Sequence, residues 1–306
     1  MTVDQHLTEF AGLPVRQFEA SGAGGLPDAA SVAWRVAFDG TTRWHDALLA
    51  LLDSVDAERI TALVVGWWGH DGEDRYPADV LVEVADRLPG LRALFFADVV
   101  VEENEISWIQ HSDITPLLAA FPQLERFEVR GGDGLTLEPL ASTSLRALRF
   151  ESGGLPGEIV QAVVASDLPN LAHLDFWFGE ENYNYGREFR VEDLAPLLSG
   201  ERFPALRHLG LEDSELQDEI AAAVAGAPVV AQLESLSLAM GTLTDEGAEA
   251  LLSGQPLTHL KRLDLHHHFL TDEMMRRVRD ALPGTEVDLD EQQERDEDWL
   301  FVAVSE

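Results

Sequence analysis

The 306-residue sequence contains no cysteine. Disulfides and thiolate metal sites are therefore excluded, and nothing points to a secreted, disulfide-stapled class. Positive charge is scarce. There is one lysine, Lys261, and arginine supplies the other cations; 21 basic residues stand against 56 acidic ones, a net charge of −35. Nucleic acid and anionic membrane both need a positive footprint, so neither is expected as a partner. No apolar run approaches the ~20 residues that span a bilayer. The first residues, MTVDQHLTEFAGLPV, have neither a basic n-region nor a long apolar h-region, so the cytoplasm is the expected compartment. Signature catalytic motifs are missing too: there is no G-x-S-x-G, no phosphate-binding Walker loop and no H-E-x-x-H. Gly22–Gly25 and the run RGGDG at Arg130–Gly134 read as loop and tight turn.

What the sequence does have is apolar residues, 45% of the total, enough for a folded core of one or two domains. They recur in a frame. Leu206, Leu209 and Leu211 are followed 27 residues later by Leu233, Leu236 and Leu238, and 27 later again by Leu260, Leu263 and Leu265. A fourth apolar residue follows each set (Leu216, Leu243, Leu270), then a helix-like run. The same frame opens at Ile60, Leu91, Leu124, Leu145 and Leu171, and ends degenerately at Gly284, giving nine units with steps of 31, 33, 21, 26, 35, 27, 27 and 24 residues. Repetition at this period is the mark of a solenoid. Two apolar residues two apart on a short strand point the same way, into a core that only stacked neighbours can close. Thr244–Leu252 and Thr271–Val278 place acids in a first helical turn, and the second places arginines late, both suited to the helix dipole.

This pattern resembles the leucine-rich repeat, and its helical second half resembles the ribonuclease-inhibitor-like subclass. The runs Phe203–Ile220 and Leu263–Leu270 are similar to an actinobacterial family of cytoplasmic leucine-rich-repeat proteins, which brings no catalytic residues with it. The resemblance implies an α/β fold: a curved parallel sheet on the concave side, helices and loops on the convex side, irregular repeat lengths. The usual asparagine or cysteine after the strand is replaced by Gly153, Ser214, Gly241 and His268, which argues against a regular asparagine ladder. Residues 1–57 lie outside the frame and read as an N-terminal cap with short strands and a helix at Trp44–Leu52. Residues 58–290 are the solenoid, and 291–306 an acidic tail or a cap whose strand is Trp299–Val304.

If each unit starts at its first leucine, its third, fifth and seventh positions face outward. The first two units offer small or apolar residues there, among them Ala97 at the seventh position of the second unit. The middle offers Arg126, Glu128, Arg130, Arg149 and Glu151, and the later units are acidic, with Asp175, Glu212 and Asp264. Parallel strands ~4.8 Å apart would pair Arg130 with Glu151 and Glu128 with Arg149. Three long connections, after the first, second and fifth strands, carry Trp67, Trp68, Trp108, Trp177, Tyr183, Tyr185 and Phe189 along one rim. Aromatic residues on loops over a rigid scaffold suit recognition. His173 and His208 share the third position on neighbouring strands, with Asp175 two residues along, an alternative zinc-type ligand set or hydrolase site that lacks an obvious further ligand. The sequence is thus expected to encode a non-catalytic scaffold without cofactor, binding a protein or peptide of basic character. The alternatives are an accessory subunit that presents a substrate to a separate modifying enzyme, and a metal protein or hydrolase built on His173, His208 and Asp175.

Overall fold

A strand with one apolar face must bury that face, and from the third strand onward this chain does so against one layer of helices. The computed structural model describes residues 3–20, 25–69, 75–180, 189–294 and 299–305. It is an α/β solenoid with one 12-stranded sheet whose spatial order is its sequence order. The strands are β1 (Glu9–Phe10), β2 (Leu13–Gln17), β3 (Ala33–Val36), β4 (Ala62–Gly66), β5 (Ala93–Asp98), β6 (Arg126–Arg130), β7 (Ala147–Glu151), β8 (His173–Gly179), β9 (His208–Ser214), β10 (Ser235–Ser237), β11 (Arg262–Asp264) and β12 (Glu286–Asp288). Only β1 and β2 pair antiparallel; the other ladders are parallel. β4 to β12 fall on the nine apolar frames. Helices α1 (Trp44–Ser54), α2 (Pro77–Glu83), α3 (Thr115–Ala120), α4 (Gly157–Ala165), α5 (Ala195–Leu198), α6 (Gln217–Ala225), α7 (Asp245–Ser253) and α8 (Asp272–Ala281) lie between strands. The core sits between the two layers: Leu63, Leu94, Phe127, Leu148, Leu174, Leu209, Leu236 and Leu263, one per strand, are all buried there. No described helix is long and apolar enough to cross a membrane.

The first 57 residues extend this sheet. β2 and β3 are its parallel members, and α1 buries Trp44, Leu48 and Leu51. The β1–β2 hairpin does something the frame does not show. Leu7, Phe10 and Leu13 turn onto the sheet face away from the helices and form a second, smaller core with Ala33, Ala62, Val64, Ala93 and Phe95. Phe10 meets Phe95 edge to face at 5.8 Å. The small and apolar outward positions of the first units are therefore the seat of the N-terminal segment. Burying one such phenylalanine contributes about 1.5–3 kcal/mol.

Near the ends of several strands the backbone enters the left-handed region: Gly131 (φ 97°), Asp213 (φ 57°), Met240 (φ 68°), His267 (φ 53°) and Glu291 (φ 59°) all occupy the eighth place of their unit. In the turn that follows, His268 stands where the repeat family has asparagine. Its Nε2–H donates to the Leu289 carbonyl at 3.2 Å and its Nδ1 accepts from the Leu270 N–H at 3.1 Å, which fixes a neutral imidazole. Burial lowers its pKa to match.

The row of left-handed residues also receives the C-terminal segment. Trp299–Val304 is the segment read from the sequence as a cap strand over the last repeat or a free tail. It runs back across β11, β10 and β9: the Phe301 carbonyl lies 3.2 Å from His267 Nε2, Ala303 N–H donates to the Met240 carbonyl at 2.8 Å, and Val304 N–H donates to Asp213 Oδ1 at 2.9 Å. Farther on, a side chain at Gly153 would come within 2.4 Å of the Ser305 carbonyl, so only glycine fits there.

Asp213 is fully buried, and its Oδ2 has no hydrogen-bond partner. Burial pushes its pKa well above the ordinary 3.8, against the pull of the Val304 N–H. The folded chain therefore holds a proton that the unfolded chain releases, and stability falls as pH rises above about 4. Asp213→Asn should match the wild type in urea unfolding near pH 3.5 and exceed it by about 1 kcal/mol or more at pH 8. An equal offset at both pH values would contradict a protonated Asp213.

Candidate functional site

Beyond the N-terminal hairpin, the sheet face away from the helices is lined with charge. Register fixes who meets whom. The fifth places form one continuous row, Val64, Phe95, Glu128, Arg149, Asp175, Gly210, Ser237, Asp264 and Asp288. The third places run Arg126, Ala147, His173, His208, Ser235, Arg262, Glu286. In the seventh row one expected member is replaced. Ala97 adopts φ 72° and turns into the core, so Asp98 takes the place opposite Gly66. A one-residue bulge thus puts a carboxylate where the repeat frame places a methyl group.

These side chains hold one another. Asp98 is fully buried and receives Arg35 Nε at 2.7 Å and the Arg35 Nη2 bond through its carbonyl at 2.9 Å. Burial raises its pKa, but the donors and cations around it, with His6 first, hold it below the ordinary value. Arg130 donates from Nε to Glu151 Oε2 at 2.8 Å and from Nη1 to the Val99 carbonyl at 2.8 Å. The expected Glu128–Arg149 pair does not form. Glu128 takes Arg126 of its own strand, while Arg149 Nε lies 2.8 Å from Glu151 Oε1 and Nη1 lies 3.7 Å from Asp175 Oδ2. Arg149 is drawn that way because its guanidinium rests over the Trp177 ring, 4.9 Å from the centroid. Trp177 in turn donates its indole N–H to Glu212 Oε2 at 2.7 Å. Burial raises the pKa of Glu212, and the neighbouring Asp175 charge adds to it.

His173, His208 and Asp175 converge. His173 Nε2 lies 2.6 Å from Asp175 Oδ2 and His208 Nε2 lies 2.7 Å from Oδ1, while the two rings stack at 4.1 Å with 13° between their planes. Burial would raise the pKa of Asp175, but the two imidazole bonds outweigh it and hold the carboxyl well below the usual range. Gly210 makes the space: a Cβ there would stand 2.3 Å from Asp175 Oδ1. Among the described residues these three are the set whose ligand atoms, all within 4.8 Å, suit a metal ion. Because the rings are nearly parallel, an ion shared by both Nε2 atoms would leave the plane of at least one ring, so capture requires a ring to turn. One neighbour escaped motif searches. Ser235 Oγ is 2.6 Å from His208 Nδ1. Its only signal in the sequence is its third place between His208 and Arg262.

Two connected cavities result. One of ≈ 870 Å³ lies between the N-terminal segment and Arg126, Glu128, Arg130, Arg149, Glu151 and Trp177, with His267 and Ala303 on its far side. The other, of ≈ 300 Å³, shares Arg149 and Trp177 and continues over His208, Glu212, Asp264 and His266.

The loop aromatics are mostly not a rim. Trp68 and Phe189 are buried, Trp67 is half-buried against the core, and Trp177 is the cavity floor just described. Phe189 stacks on Phe178 at 4.1 Å, and Trp68 packs on Phe96 at 5.9 Å, so each closes the core beneath a long connection. Trp108 is exposed, at 62%. Tyr183 and Tyr185 lie outside the described residues.

Removing Arg149 would leave Glu151, Asp175 and Glu212 facing one another. Arg149→Met should cost about 3 kcal/mol in urea unfolding, because an uncompensated buried charge is far more costly than a lost exposed pair. Lys261→Met, which breaks the exposed Lys261–Glu234 contact, should change stability by about 0.5 kcal/mol or less. Equal effects would mean that the row is solvated.

No protein-family model and no curated protein matches the chain. A solved structure does: the crystal structure of a protein from Bacteroides fragilis superposes with a TM-score of 0.80 at 31% sequence identity, covering 90% of this chain and 78% of that one. Identity at that level over most of both lengths makes the chain a member of the same family as this Bacteroides fragilis protein.

Proposed function

We propose that the chain is a recognition scaffold, a leucine-rich-repeat solenoid of the ribonuclease-inhibitor-like subclass that works in the cytoplasm and binds a basic peptide or protein segment along the free face of its sheet. One observation carries the reading: the ≈ 870 Å³ cleft has a floor of charged side chains that are already paired, with Glu128, Arg130 and Glu151 buried, and it shares walls with an end lined by Glu212 and Asp264. A floor held in place before binding loses little side-chain entropy when a partner arrives. Glu212 and Asp264 line that end, where a cationic side chain would offset the burial and the Asp175 charge that together raise the pKa of Glu212. The net charge of −35 adds a long-range field that favours the same partners and speeds their encounter. Exposed Trp108 offers an apolar contact apart from the cleft.

A peptide library presented at 50 mM salt should yield ligands rich in arginine and lysine. Their affinity should fall about 10-fold in Glu212→Gln and in Asp264→Asn, and by a similar factor at 300 mM salt, as expected for charge pairs across an interface. Glu234→Gln, away from the cleft, should bind as wild type does. Ligands without basic residues, or binding indifferent to both cleft substitutions, would remove the reading.

A further inference from the structure

Ser235 opens β10 on the free face of the sheet, next to His208 on β9, and β8 beyond it carries Asp175. Its Oγ is 2.6 Å from His208 Nδ1, and His208 Nε2 is 2.7 Å from Asp175 Oδ1. Hydroxyl, imidazole and carboxylate are joined in one line across three adjacent strands. With its Nε2–H given to the carboxylate, the imidazole is in the tautomer whose Nδ1 lone pair faces the hydroxyl. A hydroxyl bonded to a base, with the base oriented by a third group, is the arrangement that activates an oxygen nucleophile, whatever the fold or chain order. We propose that Ser235, His208 and Asp175 form a hydrolytic triad that cleaves small carboxylic esters in the ≈ 300 Å³ cavity.

The surroundings fit that chemistry. Asp175 is only 2% exposed, and its second oxygen is held by His173 Nε2 at 2.6 Å, so the carboxylate cannot turn away from His208. The His173 ring lies flat on the His208 ring and restrains it from the other side. Ser235 and His208 are half-buried and open to the cavity, so a substrate can reach both. Trp177 and Met240 line the cavity and offer apolar contact to an acyl chain. Arg262, the register partner of Ser235 on β11, lines the same cavity; its Nη2 is held by Asp264 Oδ2 at 2.9 Å, and its other N–H groups are the donors for the charge that develops on the carbonyl oxygen. In the first step Ser235 Oγ attacks the ester carbonyl carbon while its proton passes to His208 Nδ1. The carbon–oxygen bond to the alcohol breaks, and Nδ1–H protonates the leaving alkoxide. Water then attacks the acyl group on Ser235, giving a proton to Nδ1. The bond to Oγ breaks and Oγ takes that proton back, so ester and water become acid and alcohol. His208 is the base and acid of both steps; Asp175 and His173 are positioning residues.

The absence of cysteine gives a test that needs no natural substrate, because Ser235→Cys introduces a single thiol. Beside His208 that thiol should ionise early, and its alkylation by iodoacetamide should titrate with a midpoint at least one pH unit below the ordinary value of about 8.5. At pH 7 it should react about 10-fold or more faster than the thiol of the Ser235→Cys/His208→Gln double variant. In the wild-type chain a fluorophosphonate, whose fluoride is displaced by Oγ, should form one adduct at Ser235. Labelling should slow about 100-fold in His208→Gln and also fall in Asp175→Asn, each variant being compared after circular dichroism shows it folded. The midpoint in Ser235→Cys alone remains readable if the histidine variants fail to fold. A midpoint at or above 8.5, or no adduct at Ser235, overturns the triad; either result leaves peptide binding at Glu212 and Asp264 unaffected.

Discussion

The register of a parallel sheet decides what the free face of this protein can be. Neighbouring strands are ~4.8 Å apart, and each strand sets its third, fifth and seventh side chains beside those of the next. Any charge in one row therefore has two close neighbours fixed by the backbone. A run of like charges would repel, and a run of apolar residues would need a cover. Both solutions are present. Where the rows are apolar, at β3 to β5, the N-terminal hairpin covers them. Where they are charged, from β6 onward, arginines and carboxylates interleave, and Trp177 and two histidines fill the places between. The cleft is the boundary between the two regimes, and its position follows from where Phe95 gives way to Glu128 in a single row.

The strand ends obey a second constraint. A backbone that turns through the left-handed region leaves its next polar groups facing outward rather than into the ladder. Repetition of that turn at Asp213, Met240 and His267 lays out a line of such groups, and the C-terminal segment uses each in passing. The cost is one buried acid, Asp213, which burial keeps protonated while its Oδ1 accepts the Val304 N–H. The segment thereby becomes a wall of the large cavity, with Ala303 beside His267. The N-terminal and C-terminal segments thus line one cavity over the middle of the solenoid, which brings together residues about 300 positions apart.

Much of this was legible in the apolar frame. Leucines that recur with period 27 announce the strands, and counting from each first leucine names the row that holds Glu128, Arg149 and Asp175 and the row that holds His173, His208 and Ser235. Three features were not legible, each for a physical reason. The bulge at Ala97 is a single φ angle, which alanine does not advertise, and it substitutes Asp98 for the expected neighbour. Pair choice at Arg149 depends on the Trp177 ring beneath it, so counting charges across strands assigned Glu128 the wrong partner. The tryptophans of the long connections look like a recognition surface in sequence because length alone does not reveal that each connection must also close the core above it. Trp68 and Phe189 serve that need, and only Trp108 among the described ones stays in solvent.

The cluster around Asp175 shows how a repeat protein concentrates chemistry without a motif. A nucleophile elbow such as G-x-S-x-G marks one residue of such a site with a short turn pattern. Here the three functional groups are separated by 33 and 27 residues, near one repeat each, so that stacking alone brings them into line. Their spacing is the period of the scaffold, and it would be invisible to any search for a short pattern. Gly210 completes the arrangement from the row between, since any side chain at that place would push Asp175 out of reach of His208. The same repetition can therefore assemble a polar relay wherever successive repeats place hydroxyl, imidazole and carboxylate on adjoining strands, provided that one neighbouring position in the rows is left empty.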